Sequence, residues 1–136
     1  MSVLNVTNAG IYSKLSANST LTTLLGGTAI YYQQAPDNQA LPFVVFSLQA
    51  GGPDNINPSD LRNQVYFVRG YAATPALAGS IDAQCSASLH RANVTVSGYT
   101  NFWTVRETDI APPPEITPAG GRVYAAGGFY RIRLDS

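Results

Sequence analysis

Short apolar stretches alternate with polar joints rich in proline and glycine, and the spacing inside each stretch predicts its form. Residues 7–25 carry Ile11, Leu15, Leu21, Leu24 and Leu25. Steps of three and four put most of these on one helical face. The intervening "SANST" is a weak helix former in which Asn18 or Ser19 can cap a fresh start. The segment therefore reads as two short helices, or one with a break, ended by Gly26-Gly27. Residues 28–33 read as a short strand and "QAPDNQALP" as a loop, with Pro42 opening the next strand. That strand, "FVVFSLQA", is apolar on both faces, the pattern of a strand buried on both sides in the middle of a sheet.

"GGPDNINPSDLRN" is a long polar loop, after which the chain runs extended through "QVYFVRGYA". Alternation sends Val65, Phe67 and Tyr71 one way and Tyr66 and Val68 the other. One face should meet helices; the other needs different cover, such as another subunit. "TPALAGSIDAQCSASLHRA" is the clearest helix, with Thr74 as N-cap and Pro75 at the first helical position. Leu77, Ile81, Cys85 and Leu89 form its core stripe, and His90 and Arg91 fall in the last turn, where positive charge suits the helix dipole. Strands follow at 94–97 and 99–107, then a second long loop over 109–121 stiffened by three consecutive prolines. The last strand, 121–134, turns Tyr130, Ile132 and Leu134 inward and Arg131 and Arg133 outward. The order α, β-β-β, α, β-β-β with short connections predicts an α+β domain over residues 1–136. Its sheet is mainly antiparallel, with two main helices packed on one face.

Composition changes this picture in one respect. Of the 136 residues 45% are hydrophobic, enough for a core, but only 12% are charged, roughly half the usual share. A surface so poor in charge suits a protein whose faces are covered by partners. The formal net charge is zero, so no overall field draws the chain to nucleic acid or to an anionic membrane. Seven of the eight basic residues are Arg, a preferred interface residue. No 18-residue apolar stretch is present to span a membrane. The first ten residues lack the basic and apolar segments of a signal peptide, so the three N-glycosylation sequons carry little weight.

Candidate chemistry is sparse. His90 is the only histidine, and Cys85 the only cysteine, set among small residues as a core position. Asp54 and Asp60 match no coordination spacing, and nothing in the sequence brings Asp82 and Glu107 together. The glycine-rich "GGPDN" and "AGGR" lack the lysine and the setting of a phosphate cradle. The expectation is no catalytic residue, no cofactor, no metal and no enzyme. The candidate interaction residues are the Arg131 and Arg133 stripe, Asp54, Asn55, Asp60 and Arg62 of the first long loop, and Pro113 and Glu115 of the second.

Taken together, "IYYQQAPDNQALPFVVFSLQAGG", "VYFVRGYA", a helix ending "ASLH", "VSGYTNFW" and a closing "GGFYRIRL" resemble the tail completion or tail terminator family of long-tailed bacteriophages. The resemblance spans roughly residues 8–135. It implies a small α+β virion protein of the tail and neck, assembled in the host cytoplasm. It also implies a hexameric ring that caps the tail tube, receives the head-tail connector and lets double-stranded DNA pass without specific binding. Three other readings remain. The chain is a neighbouring neck component (a stopper or an adaptor), a ligand-binding module stacking on Tyr99, Phe102 and Trp103, or an enzyme built on His90 or Cys85.

Overall fold

The computed structural model describes residues 2–37, 39–53 and 61–135, with the side chain of Phe102 outside the description. The N-terminal helical segment resolves into two helices, α1 (Val3–Ser16) and α2 (Ser19–Leu25). Asn18 makes the break useful. Its side-chain oxygen accepts from the Leu21 N–H at 3.1 Å, while its amide nitrogen donates to Ser88 Oγ at 2.8 Å in α3 (Pro75–Leu89). One residue thus caps α2 and ties it to α3. Thr74 caps α3 as predicted, accepting from the Leu77 N–H at 3.2 Å, a contribution of ~1 kcal/mol.

The strands are β1 (Ile30–Tyr32), β2 (Phe43–Pro53), β3 (Leu61–Ala72), β4 (Thr100–Ile110), β5 (Glu115–Ile116) and β6 (Arg122–Asp135). The sheet runs β1-β2-β3-β6-β4, and β5 pairs with the start of β6. Every pairing is antiparallel except β1 with β2. The α+β reading therefore holds, with three helices where two main ones were expected.

All three helices pack on one face. Val44 and Phe46 of β2, Tyr66 and Val68 of β3, and Tyr130, Ile132 and Leu134 of β6 meet Ile11, Leu15, Leu21, Ile81, Cys85 and Leu89 in one core. The inward and outward sets expected for β3 and β6 are the observed ones. On α3 the buried stripe is Ala78, Ile81, Cys85 and Leu89, while Leu77 is only partly buried. Two glycines set the spacing of the layers. A Cβ at Gly70 would collide with Ile81 Cγ2, so α3 and β3 approach there more closely than an alanine permits, and one at Gly10 would collide with the Thr95 carbonyl oxygen, so α1 meets the segment 94–97 equally closely.

Three sequence expectations are corrected. The strand "FVVFSLQA" is not the middle of the sheet: β2 lies one strand from the β1 edge, and β3 is central. Its two apolar faces have a local cause. Residues 33–37 and 39–42 lie on the side of the sheet away from the helices, joining the parallel β1 and β2, and Val45 is buried at 3% exposure on that side. The segment 94–97 is not a strand. Val94 and Val96 are buried in the helix layer, crossing α1 at Gly10 with no neighbouring strand to pair with. The two long loops are shorter than expected at their described margins: β2 continues to Pro53 and β3 begins at Leu61, β4 runs to Ile110, and Glu115–Ile116 pairs with the start of β6 in a small hairpin.

Candidate functional site: an uncovered sheet face

The face of the sheet turned away from the helices carries large apolar side chains with no helix over them. In β3 these are Val65, Phe67 and Tyr71, with Arg69 among them, all half-buried. Cross-strand pairing joins them into a row. The Phe43 and Tyr71 rings lie 5.2 Å apart, the Phe67 and Phe129 rings 5.1 Å apart, and the Arg69 guanidinium stands 4.7 Å from the Phe67 ring centre. Arg69 Nε donates to the Tyr71 hydroxyl at 2.6 Å. A strand whose outer face meets only water normally alternates apolar with polar. Here the alternation fails, and the outer face of β3 keeps Val65, Phe67 and Tyr71.

The candidate residues fall on two ends of this sheet. Arg62 opens β3 opposite Leu134 and Pro53, at the end where Thr100 and Asp135 also sit. Arg133 lies one residue from that end, on the uncovered face beside Arg131. Pro113 and Glu115 lie at the opposite end, with the β5–β6 hairpin. Arg62 thus shares an end of the sheet with Arg131 and Arg133 but stands on the helix-side face while they stand on the uncovered one, and all three are separated from Pro113 and Glu115 by most of the length of β6. Asp54, Asn55 and Asp60 lie outside the described residues. Arg131 is engaged: its Nε donates to Glu107 at 2.9 Å and its NH1 to Asn63 Oδ1 at 2.8 Å.

Other candidate chemistry dissolves into structure. His90 lies just past the last helical turn, as the C-cap of α3, which ends at Leu89, and its Nδ1 accepts the Arg106 backbone N–H at 2.9 Å. That bond, with Arg91 N–H to the Thr104 carbonyl at 2.7 Å, pins the outer edge of β4. Cys85 is buried in the core, and burial pushes its thiol up to about 12, the reverse of an activated nucleophile. Tyr99 packs on the core while Trp103 stands 38% exposed, so they do not form a stacking platform. Phe102's side chain lies outside the description. Among the described residues no group of three His, Cys, Asp or Glu is set to hold a metal.

Sequence reasoning missed one network. Arg106, on a strand read only as extended chain, reaches under α3. Its two terminal nitrogens meet the Asp82 carboxylate oxygens at 2.7 and 2.8 Å, and it also donates to the Tyr130 hydroxyl and the Gly127 carbonyl, each at 2.9 Å. Burial works against its charge, but the bonds to Asp82, Tyr130 and Asp109 more than offset this and hold the guanidinium above its ordinary value. A groove of about 520 Å³ lies beside this network. Its arginine is already fully engaged within the chain, which makes the cluster a structural pin.

With this geometry in hand, comparison with known proteins decides the family. The sequence matches the family described as "Tail completion protein gp17" over residues 9–111. The chain belongs to that family. It is a structural protein of the phage virion, in its tail. Among solved structures it is similar to a chain of the "Virion of native gene transfer agent (GTA) particle", at 19% identity and a TM-score of 0.79, covering 99% of this chain and 98% of that one. It is also similar to the "Structure of bacteriophage SPP1 gp17 protein", at 15% identity and a TM-score of 0.51, covering 96% and 88%. At these identities the likeness concerns the fold. No curated protein matches the chain. Among the described residues no helix is long and apolar enough to cross a membrane.

Proposed function

We propose that this tail completion protein forms a hexameric ring that ends the tail tube and joins it to the head-tail connector, with DNA passing through the lumen. The observation that carries the ring is the uncovered aromatic face of β2, β3 and β6 in a chain with only 12% charged residues. A contiguous apolar face of this kind marks a surface that another protein covers. Placement of the candidate contacts supports a joining role. β2 ends at Pro53 and β3 begins at Leu61 at one end of the sheet, and the Pro112–Pro114 lead-in and β5–β6 hairpin occupy the other. A chain with distinct features at two ends is suited to sit between two different partners. Zero net charge and the bridging of Arg131 by Glu107 and Asn63 favour a passage that lets DNA slide rather than grip it.

The test is tube growth. Purified chain added to polymerising tail-tube protein should arrest the tubes and remain at one end, about six copies per tube. Tubes that grow unchanged would contradict the reading. Binding to the connector but not to the tube would move the assignment to a stopper or adaptor.

A further inference from the structure

We infer that the groove on the uncovered face, between residues 33–37 and 39–41 on one side and the β5–β6 hairpin on the other, receives the β4 edge of a second copy of this chain. The inference rests on the ring reading and names the contact that would close it. The groove holds about 470 Å³. Leu41, Phe43, Val45, Tyr71 and Val123 give it apolar walls, and Arg69 lies among them.

Arg69 is the informative residue. Its partners are the Tyr71 hydroxyl at 2.6 Å, the Ser47 hydroxyl at 3.4 Å and the rings of Phe67 and Tyr71. Among the described residues it meets no carboxylate, although Asp37 and Glu115 also line the groove. A half-buried guanidinium 4.7 and 5.8 Å from two ring centres, bonded only to neutral hydroxyls, has charge left to meet an acidic group arriving from outside. Aromatic side chains and arginine in a pocket of this kind are the usual anchors of a protein interface.

The chain itself carries the complement. β4 is the edge strand farthest from β1 and β2. It exposes Trp103 at 38% and the Asp109 side chain at 86%, the latter giving one carboxylate oxygen to Arg106 Nε at 2.6 Å, while Glu107 is taken up by Arg131. An edge that carries an exposed aromatic ring and, further along, a solvent-facing carboxylate faces, in the next copy, an apolar groove with an arginine at the other. Two different patches on opposite edges of one subunit make a heterologous contact, and repeated with a closing rotation that contact makes a ring. The zero net charge imposes no overall repulsion between copies.

The test places a photoreactive benzoyl-phenylalanine at Phe43 in the full chain, assembled from a mixture of isotopically heavy and light copies. The wild-type assembly is first weighed under the same conditions. The expected result is heavy-light crosslinks to peptides of residues 100–110. Arg69→Ala, checked by an unchanged unfolding midpoint, should raise the concentration for half-assembly by roughly tenfold or more. Crosslinks confined to one chain, or made only to tube protein, in an assembly that weighs as a ring would overturn the groove contact and leave the ring standing. A wild-type chain that stays monomeric even on tubes would overturn both.

Discussion

At the scale of the residue, burial decides which groups are available to chemistry. Cys85 is buried, and desolvation, aided by the nearby Asp82 charge, raises its thiol from 9.0 to about 12. Burial also raises the Tyr130 hydroxyl from 10.0 to about 12, against the opposing pull of Arg106. The Tyr66 hydroxyl is raised by burial and then by Tyr32; it donates to Asn8 Oδ1 at 2.7 Å. These groups keep their protons in the folded chain and release them earlier in the unfolded one. The unfolded state therefore binds fewer protons once pH exceeds the unfolded values, and stability falls as pH rises. The stabilisation is complete below about pH 9 and is lost toward pH 12, at ~1.4 kcal/mol per pH unit for each group whose unfolded form has ionised. Urea midpoints from about pH 7 to about pH 11 should be flat at first and then drop. A flat profile throughout would contradict the assignment of these side chains to a dry core.

At the scale of the element, Arg106 holds three pieces together: α3 through Asp82, β6 through Tyr130 and Gly127, and the edge strand β4 to which it belongs. The Arg106 and Asp82 side chains are 11% and 18% exposed, whereas Asp109 is 86% exposed. Asp82→Ala should therefore cost about 3 kcal/mol, because it strands a buried charge. Asp109→Ala should cost under about 1 kcal/mol. Equal losses in chemical denaturation would refute the pin. The sequence pattern showed the helices and long strands well, because period and capping residues such as Thr74 and Asn18 are local signals. It could not show this pin, since residues 82 and 106 meet only through the fold. It placed a strand at 94–97 because alternating valines look the same whether they enter a sheet or cross a helix at a glycine. It put β2 in the middle because a loop on the outer face buries Val45 as effectively as a second layer would.

At the scale of the molecule, the structure is a two-layer domain with a finished face and an unfinished one. Helices seal the first. Aromatic rings, Arg69 and the Arg131–Glu107 pair occupy the second. The sequence disclosed that an outer cover is needed, through the doubly apolar β3 and the low charge. It did not disclose the groove, which depends on residues 33–37 and 39–41 lying on that side of the sheet. Arg131 and Arg133 were legible as outward-facing, yet Arg131's engagement with Glu107 depends on the pairing of β4 with β6.

The central claim is that this face is completed by other copies of the same chain at the end of a tail tube. The most direct measurement is the mass of the particle, by light scattering of the purified chain alone and bound to short tail-tube segments. The account predicts six copies, either free in solution or on the tube end. A chain that remains a monomer in both conditions, or a twelve-copy ring, would contradict it.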